Sequence, residues 1–223
     1  MIKLLHIDTS GALASIAFSQ NEECLLEKTN DRLQDHATWI HSAIQEGSIA
    51  CGISLNELDG VSVTIGPGSY TGLRVGLSTA KGFCYALQKP LLTIPTLELM
   101  ASVIPSAADQ LICPMIDARR MEVYTALYDA ALKEIQPAHA LILEPNSFDA
   151  VLQKQIVLYC GDGAMKFKSL CTHPNAQFLD ITATAKNQIH LALQKFRNND
   201  FADLAYQDPL YVKEFYTPVS PSY

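Results

Sequence analysis

The sequence predicts an α/β protein made of two related halves. Short apolar stretches of strand length alternate with longer segments of helical periodicity, which is typical of sheets flanked by helices. An aspartate follows an apolar strand in each half, at Asp8 and again at Asp117. A glycine- and proline-rich turn at 66–69 precedes the longest predicted helix of the first half.

Residues 1–104 are predicted to form the first lobe. Its strands are expected at 2–7, 12–18, 23–28, 61–65 and 91–94. Its helices are expected from Asp35, a suitable N-cap, to Ala50, from Tyr70 to Leu87, and from Thr96 onward. The second helix is expected to stop before Pro90, because proline cannot continue it.

Residues 105–223 are predicted to form a second, smaller lobe. The predicted elements are strands at 111–116, 121–128 and 156–160 and a helix at 183–197. When Ile7 is placed on Ile116, equal counting places Ile16 on Thr125. Each half is therefore expected to contain a strand, an aspartate, a turn and a second strand, which predicts duplicated lobes.

Composition and charge restrict the class of protein. With 223 residues, of which 48% are hydrophobic, the chain can bury one core or two small lobes. The net charge of -7 disfavours binding to nucleic acid by the chain alone, because phosphate contacts need clustered Lys and Arg. The six cysteines form no C-x-x-C pair, and no leader or membrane segment is recognisable. We therefore expect a cytoplasmic chain with reduced thiols.

Asp8, Thr9 and Ser10 form the first candidate polar site. An acid at the end of a strand, followed by two hydroxyl side chains, can hold a hydrated cation and phosphate oxygens. The same residues can instead bond backbone N–H groups in a hairpin turn, and the tripeptide alone favours that alternative. Asp117 could face Asp8 across a cleft, or it could be neutralised by a neighbouring arginine, Arg119 or Arg120.

The segment 66–76, GPGSYTGLRVG, is the most distinctive motif. It matches neither the Walker loop nor the dinucleotide fingerprint. Small side chains continue along the helix in two stripes, one at Gly72, Gly76, Ala80 and Cys84, the other at Ser78, Gly82 and Ala86. Since an interior glycine costs a helix about 1 kcal/mol relative to alanine, we expect close neighbours on more than one side. These would be the chain's own sheet and a helix of a second chain.

The helix predicted at 36–50 has one broad apolar face. This face contains Trp39, Ile40, Ala43, Ile44 and Gly47. It could pack into the chain's own core, which is the favoured alternative, or it could meet a partner with Trp39 as an anchor.

At these motifs the chain resembles the TsaB family, non-catalytic subunits of the bacterial machinery that installs threonylcarbamoyl on an adenosine of tRNA. The matching stretches are 5–10, 66–76, 116–124 and 209–212, of which the glycine segment is the most specific. They span nearly the whole chain, although residues 130–200 match loosely. The resemblance implies an actin-like ATPase fold, with two ribonuclease-H-like lobes of mixed sheets flanked by helices.

The resemblance also implies partners. These are the catalytic paralogue TsaD in a heterodimer, the ATPase TsaE docked on that pair, and a second copy of the chain when TsaD is absent; tRNA is contacted only indirectly. In the family the TsaD contact is a helical bundle, which by position uses the helices at 36–50 and 70–87. The implied contact residues are Trp39, Ile40, Ala43, Ile44, Tyr70, Thr71, Arg74, Val75, Ser78, Thr79 and Gly82.

A scaffold rather than an enzyme is the implied activity. In TsaD a histidine pair after the glycine-rich helix binds the catalytic metal, whereas 94–102 contains no histidine and Glu98 alone cannot form such a site. We expect no catalytic residue, no metal, no required cofactor and at most weak ATP or ADP binding. A vestigial nucleotide site would then remain at Asp8, Thr9, Ser10 and Asp117. The alternatives are an ATP-dependent enzyme of the actin-like superfamily and a glycoprotease-like peptidase, although the sequence offers no protease site.

Overall fold

The computed structural model describes residues 1–32 and 35–213, which form two five-stranded sheets. The strands of the first sheet are β1 Lys3–Asp8, β2 Ala14–Gln20, β3 Glu23–Asn30, β4 Gly60–Gly66 and β5 Leu91–Pro95, in the order β3-β2-β1-β4-β5. The helices of this half are α1 His36–Cys51, α2 Tyr70–Leu87 and α3 Thr96–Ser102. Each element predicted in residues 1–104 is therefore confirmed to within about two residues.

The second sheet repeats the plan of the first. Its strands are β6 Leu111–Asp117, β7 Glu122–Asp129, β8 Glu134–Ile142, β9 Val157–Cys160 and β10 Ala176–Leu179, in the order β10-β9-β6-β7-β8. In both sheets the first three strands along the chain pair antiparallel, and the last two add in parallel beyond the first. The helices of this half are α4 Asp149–Leu152, α5 Ala164–Lys168 and α6 Gln188–Arg197. Two ribonuclease-H-like lobes with mixed sheets are thus confirmed.

The two hairpins differ by one residue, so equal counting between the halves was wrong. In the first hairpin Ile7 pairs with Ile16, whereas in the second Ile116 pairs with Tyr124. The counterpart of Ile16 is therefore Tyr124 and not Thr125. The second turn is one residue shorter, and an unnoticed shift of one residue exchanges the two faces of a strand.

The chain returns to the first lobe after β10, so the predicted second lobe of 105–223 extends too far. Ile189, Ala192 and Leu193 of α6 pack with Leu4 and Leu92 of the first sheet. Further along, Ala202 forms a bridge with Leu91, and the Leu210 N–H donates to the Ile65 carbonyl at 2.7 Å. Apolar residues of α6 cover the outer face of the first sheet because that face would otherwise be exposed to water.

Candidate partner surface and interlobe cleft

The inner face of α2 packs tightly against the turn that follows β1. The Thr9 hydroxyl donates a 2.7 Å hydrogen bond to the Gly72 carbonyl. A Cβ atom at Gly72 would overlap the Thr9 carbonyl oxygen, and one at Gly76 would overlap the Thr9 hydroxyl. The first stripe of small residues therefore belongs to the chain's own core.

The glycine-rich turn before α2 serves the same packing. The Ser69 N–H donates to the Ser10 carbonyl at 2.7 Å, and a Cβ at Gly68 would overlap that carbonyl. Ser69 also caps α2, since its hydroxyl accepts from the Gly72 N–H at 3.3 Å. Close backbone contact with residues 8–10 explains why this segment contains so many glycines.

The second stripe of α2 faces outward. Tyr70, Thr71, Arg74, Ser78 and Gly82 are exposed. A Cβ placed on Gly82 would meet nothing within 4 Å, in contrast to the crowded inner glycines. The guanidinium carbon of Arg74 lies 4.0 Å from the centre of the Tyr70 ring, and its Nε donates to the Tyr211 hydroxyl at 3.0 Å. These contacts join Tyr70, Arg74 and Tyr211 at the polar end of the surface.

A shallow groove of about 340 Å³ runs between α1 and α2. Its lining residues are His41, Ser78, Thr79, Gly82, Phe83 and Ala86. Two large apolar side chains also project from these helices, with Ile49 75% and Tyr85 80% exposed. We call the exposed faces of α1 and α2, together with this groove, the outer helical face.

Four of the predicted contact residues are buried within the chain. Ile40, Ala43 and Ile44 are at most 2% exposed and belong to the core of the first lobe, so the expectation that they contact a partner was wrong. Thr79 is 7% exposed and lies at the floor of the groove. Trp39 and Val75 are half-buried and pack against the same core. The apolar face of α1 covers β2 and β3 so closely that a Cβ at Gly47 would meet the ring of Phe18 and the side chain of Leu26.

Contributions from His41, Phe83, Ile49 and Tyr85 to the outer helical face were not predicted. The stripe of Ser78, Gly82 and Ala86 was the available signal for α2. For α1 the sequence pattern predicted the apolar face but not which residues opposite it form the exposed surface.

Asp8 lies at the carboxyl end of β1, in the cleft between the two lobes. It is 5% exposed. Its Oδ1 accepts hydrogen bonds from the Ser10 N–H at 2.9 Å, the Ser10 hydroxyl at 2.7 Å and the Thr64 hydroxyl at 2.7 Å. Burial nevertheless raises the pKa of this carboxyl above its ordinary value, because removing charge from water outweighs these hydrogen bonds. Asp8 and Ser10 thus bond within their own turn, as the turn alternative expected, and Thr64 of β4 adds the third hydrogen bond.

The interlobe cleft contains a cavity of about 370 Å³. Asp8 and Ser10 line it from the first lobe, and Ile116 and Asp162 line it from the second. Thr9 faces α2 instead, as described above, so the predicted polar tripeptide is divided between two environments.

Asp117 does not line this cavity. Its Oδ1 accepts from the Lys166 ammonium at 2.6 Å, and this hydrogen bond lowers the pKa of the carboxyl. The Asp117 N–H donates to Asp162 Oδ1 at 2.9 Å. Asp162, not Asp117, is therefore the second-lobe acid at the cavity, and Lys166, not Arg119 or Arg120, neutralises Asp117.

Residues 1–32 and 35–213 contain neither a cluster of potential metal ligands nor a helix able to span a membrane. No three His, Cys, Asp or Glu side chains of this part of the chain converge in a way that could hold a metal ion. No helix of the same part combines the length and the apolar character needed to cross a bilayer.

Several known sequences similar to this chain are described as tRNA-modification proteins. A profile described as "TsaD: tRNA N6-adenosine threonylcarbamoyltransferase" matches residues 30–213. A tRNA threonylcarbamoyladenosine biosynthesis protein TsaB of Bacillus subtilis is 32% identical over 143 residues, which cover 63% of this chain and 62% of that protein. The TsaB of Escherichia coli is 24% identical over 228 residues, which cover 95% of both chains.

Solved structures share the fold. A Pseudomonas aeruginosa protein described as similar to the peptidase YEAZ superposes with a TM-score of 0.84 and 22% identity, covering 96% of this chain and 100% of that one. An activator of 2-hydroxyisocaproyl-CoA dehydratase from Clostridium difficile, solved with bound ADPNP, superposes with a TM-score of 0.52 and 8% identity. The superposition covers 89% of this chain and 97% of that one. Both likenesses agree with the predicted fold of two lobes with mixed sheets flanked by helices.

Proposed function

Because the chain belongs to the family of TsaD, tRNA N6-adenosine threonylcarbamoyltransferase, and within it is TsaB-like, we propose that it is a partner-binding subunit in threonylcarbamoyl transfer to tRNA. The modified adenosine lies next to the anticodon of tRNAs that read ANN codons. In this role the chain binds and organises TsaD in the cytoplasm, and TsaE docks on the pair. In the absence of TsaD, two copies associate through the same surface.

The observation that carries this proposal is the separation of the two stripes on α2. Gly72 and Gly76 are filled by the chain's own turn, whereas Gly82 faces open space. A glycine on an exposed helical surface lowers helix stability by about 1 kcal/mol relative to alanine and serves no internal contact here. It does allow the backbone of another helix to approach closely, beside a groove that already exposes Phe83 and Ala86.

Partner binding also agrees with the composition of the outer helical face. Aromatic and aliphatic side chains such as Tyr70, Tyr85 and Ile49 project from it and would be buried by a partner. Arg74, held between Tyr70 and Tyr211, adds a pre-ordered cation at one end. Ordered aromatic and arginine side chains are the residues that most often dominate binding energy.

A non-catalytic role is supported by the sequence of α3 and its surroundings. The stretch 94–102 lacks the histidine pair of the catalytic paralogue. The net charge of -7 further argues that TsaD, rather than this chain, contacts the tRNA phosphates. We propose that no cofactor is required and that ATP or ADP binds at most weakly, because the cleft presents Asp8 and Asp162 to an anion.

Reconstitution with purified proteins tests the proposal. The chain alone should transfer no threonylcarbamoyl to tRNA, and adding it to TsaD and TsaE should raise modification at least tenfold over TsaD and TsaE alone. Asp8→Asn should leave this stimulation intact, since the cleft is not used. Transfer by the chain alone would overturn the non-catalytic assignment. Turnover of ATP by the chain that Asp8→Asn abolishes would favour the ATP-dependent enzyme.

A further inference from the structure

The interlobe cavity has an unusual lining for a nucleotide site. Much of its wall is apolar, with contributions from Leu13, Leu99, Met100, Ile116 and Ile181. Its volume of about 370 Å³ falls within the range of about 300–1,000 Å³ that is typical of small-molecule pockets. An apolar wall of this kind suits the body of an organic ligand.

The polar groups at the cavity are incompletely bonded. All three hydrogen bonds accepted by Asp8 end on Oδ1, and Oδ2 accepts none from the described part of the chain. Asp8 is only 5% exposed, yet it lines the cavity. Thr96 also lines the cavity, and its buried hydroxyl has no hydrogen-bond partner among the described residues. Oδ2 of Asp8 keeps access to the cavity, so a ligand there can donate to it, and the buried Thr96 hydroxyl beside it is an unfavourable polar group without a partner.

The charges at the cavity select the sign of that ligand. The charged side chains that line it are Asp8 and Asp162, and no lysine or arginine of the described residues is among the lining groups. The Lys166 ammonium of α5 is already bound by Asp117. A phosphate here would therefore lie beside two carboxylates, whereas an ammonium group would neutralise them.

We propose that the interlobe cavity binds a small organic cation. A primary ammonium group donates to Oδ2 of Asp8, and an aromatic or aliphatic body packs among Leu99, Met100 and Ile181. This site is separate from the outer helical face, and its occupancy does not depend on TsaD. The chain would thus carry a small-molecule site in the cleft of the fold, with a preference opposite to that for a nucleotide phosphate.

Calorimetric titration of the purified chain with tryptamine tests this proposal at neutral pH. Tryptophol, in which a hydroxyl replaces the ammonium, and indole-3-acetate, which is an anion, serve as matched probes with the same ring. Tryptamine should bind at least tenfold more tightly than either, and more tightly than ATP with magnesium. Equal binding of the three indoles, no binding at millimolar concentration, or tighter binding of ATP would overturn the proposal.

Two variants locate the binding. Asp8→Asn should weaken tryptamine binding at least tenfold, because the amide oxygen can accept the same three hydrogen bonds while the amide nitrogen faces the ammonium. Ala12→Phe, at an exposed position of the cavity wall, should abolish binding by filling the space. Asp109→Asn, an exposed change outside the lining, is the control and should leave affinity unchanged. If Asp8→Asn does not fold, Ala12→Phe alone decides, and unchanged affinity in that variant would refute the site.

Discussion

At the scale of single residues, the buried side chain of His6 makes the stability of the fold depend on pH. His6 is 0% exposed within the first sheet, where Nδ1 lies 2.7 Å from the Ser62 hydroxyl and Nε2 lies 2.8 Å from the Ser19 hydroxyl. The Ser62 hydroxyl donates to Gln188 of α6 at 2.6 Å, so the imidazole is linked through Ser62 to α6. Burial lowers the pKa of His6 from 6.5 to about 3 and keeps the ring neutral.

This lowered pKa predicts acid sensitivity. The unfolded chain protonates His6 below about pH 6.5, whereas the folded chain resists protonation down to about pH 3. The contribution of His6 is therefore complete above pH 6.5 and is lost as the pH falls toward 3, by up to about 1.4 kcal/mol per pH unit.

Urea unfolding of wild type and His6→Gln at pH 7, 6, 5 and 4 measures this contribution. Glutamine does not titrate, so the free energy of unfolding of the variant should depend less steeply on pH, although it should be lower at pH 7. Subtracting the free energy of unfolding of the variant from that of wild type removes the contributions of the other titrating groups. One of these is Asp8, whose raised pKa favours the folded state as the pH falls. Parallel curves for the two proteins would contradict this role of His6.

At the scale of elements, α2 performs two tasks on opposite sides. Its inner glycines allow the turn at Thr9 to reach the helix backbone, and its outer glycine leaves a surface free. The sequence predicted both stripes but not which one faced inward, because that depends on where the sheet lies. For α1 the same limit produced an error, since Ile40 and Ile44 cover the sheet.

Alanine substitutions separate the two tasks of α2. Gly76→Ala should destabilise the chain by about 1–3 kcal/mol, because the new Cβ overlaps the Thr9 hydroxyl and lies 3.5 Å from Val63. Gly82→Ala should stabilise it by about 0.5–1 kcal/mol, since alanine favours the helix and nothing lies nearby. Chemical denaturation measures both, and a loss of stability in Gly82→Ala would show that this face is packed within the chain.

The strands that the sequence analysis missed are edge strands, and the short helix α4 was missed as well. β8 lies at one edge of the second sheet and contains Pro137, and β10 lies at the other edge with four residues. Proline inside a stretch of mixed polarity argues against a strand unless the strand is at an edge, which the sequence alone does not specify. The central strands were predictable because burial on both faces makes them continuously apolar.

At the scale of the whole molecule, the fold is a duplication in which the two lobes have different roles. The first lobe carries the outer helical face and receives the returning segment 185–213, and the second closes the cleft. The motif order predicted the duplicated fold, but it did not predict that α6 and Leu210 return to the first lobe. Contacts between residues so distant along the chain, such as Gln188 with Ile7, leave no local signal in the sequence.

The affinity of the chain for TsaD tests the account most directly. Gly82→Leu introduces bulk on the outer helical face, and Gly11→Leu is the matched control, because a Cβ at either glycine meets nothing within 4 Å. Calorimetry should show at least tenfold weaker binding of TsaD by Gly82→Leu, with no fall in its melting temperature, and binding within twofold of wild type for Gly11→Leu. Wild-type affinity in Gly82→Leu would contradict the assignment of this surface to the partner.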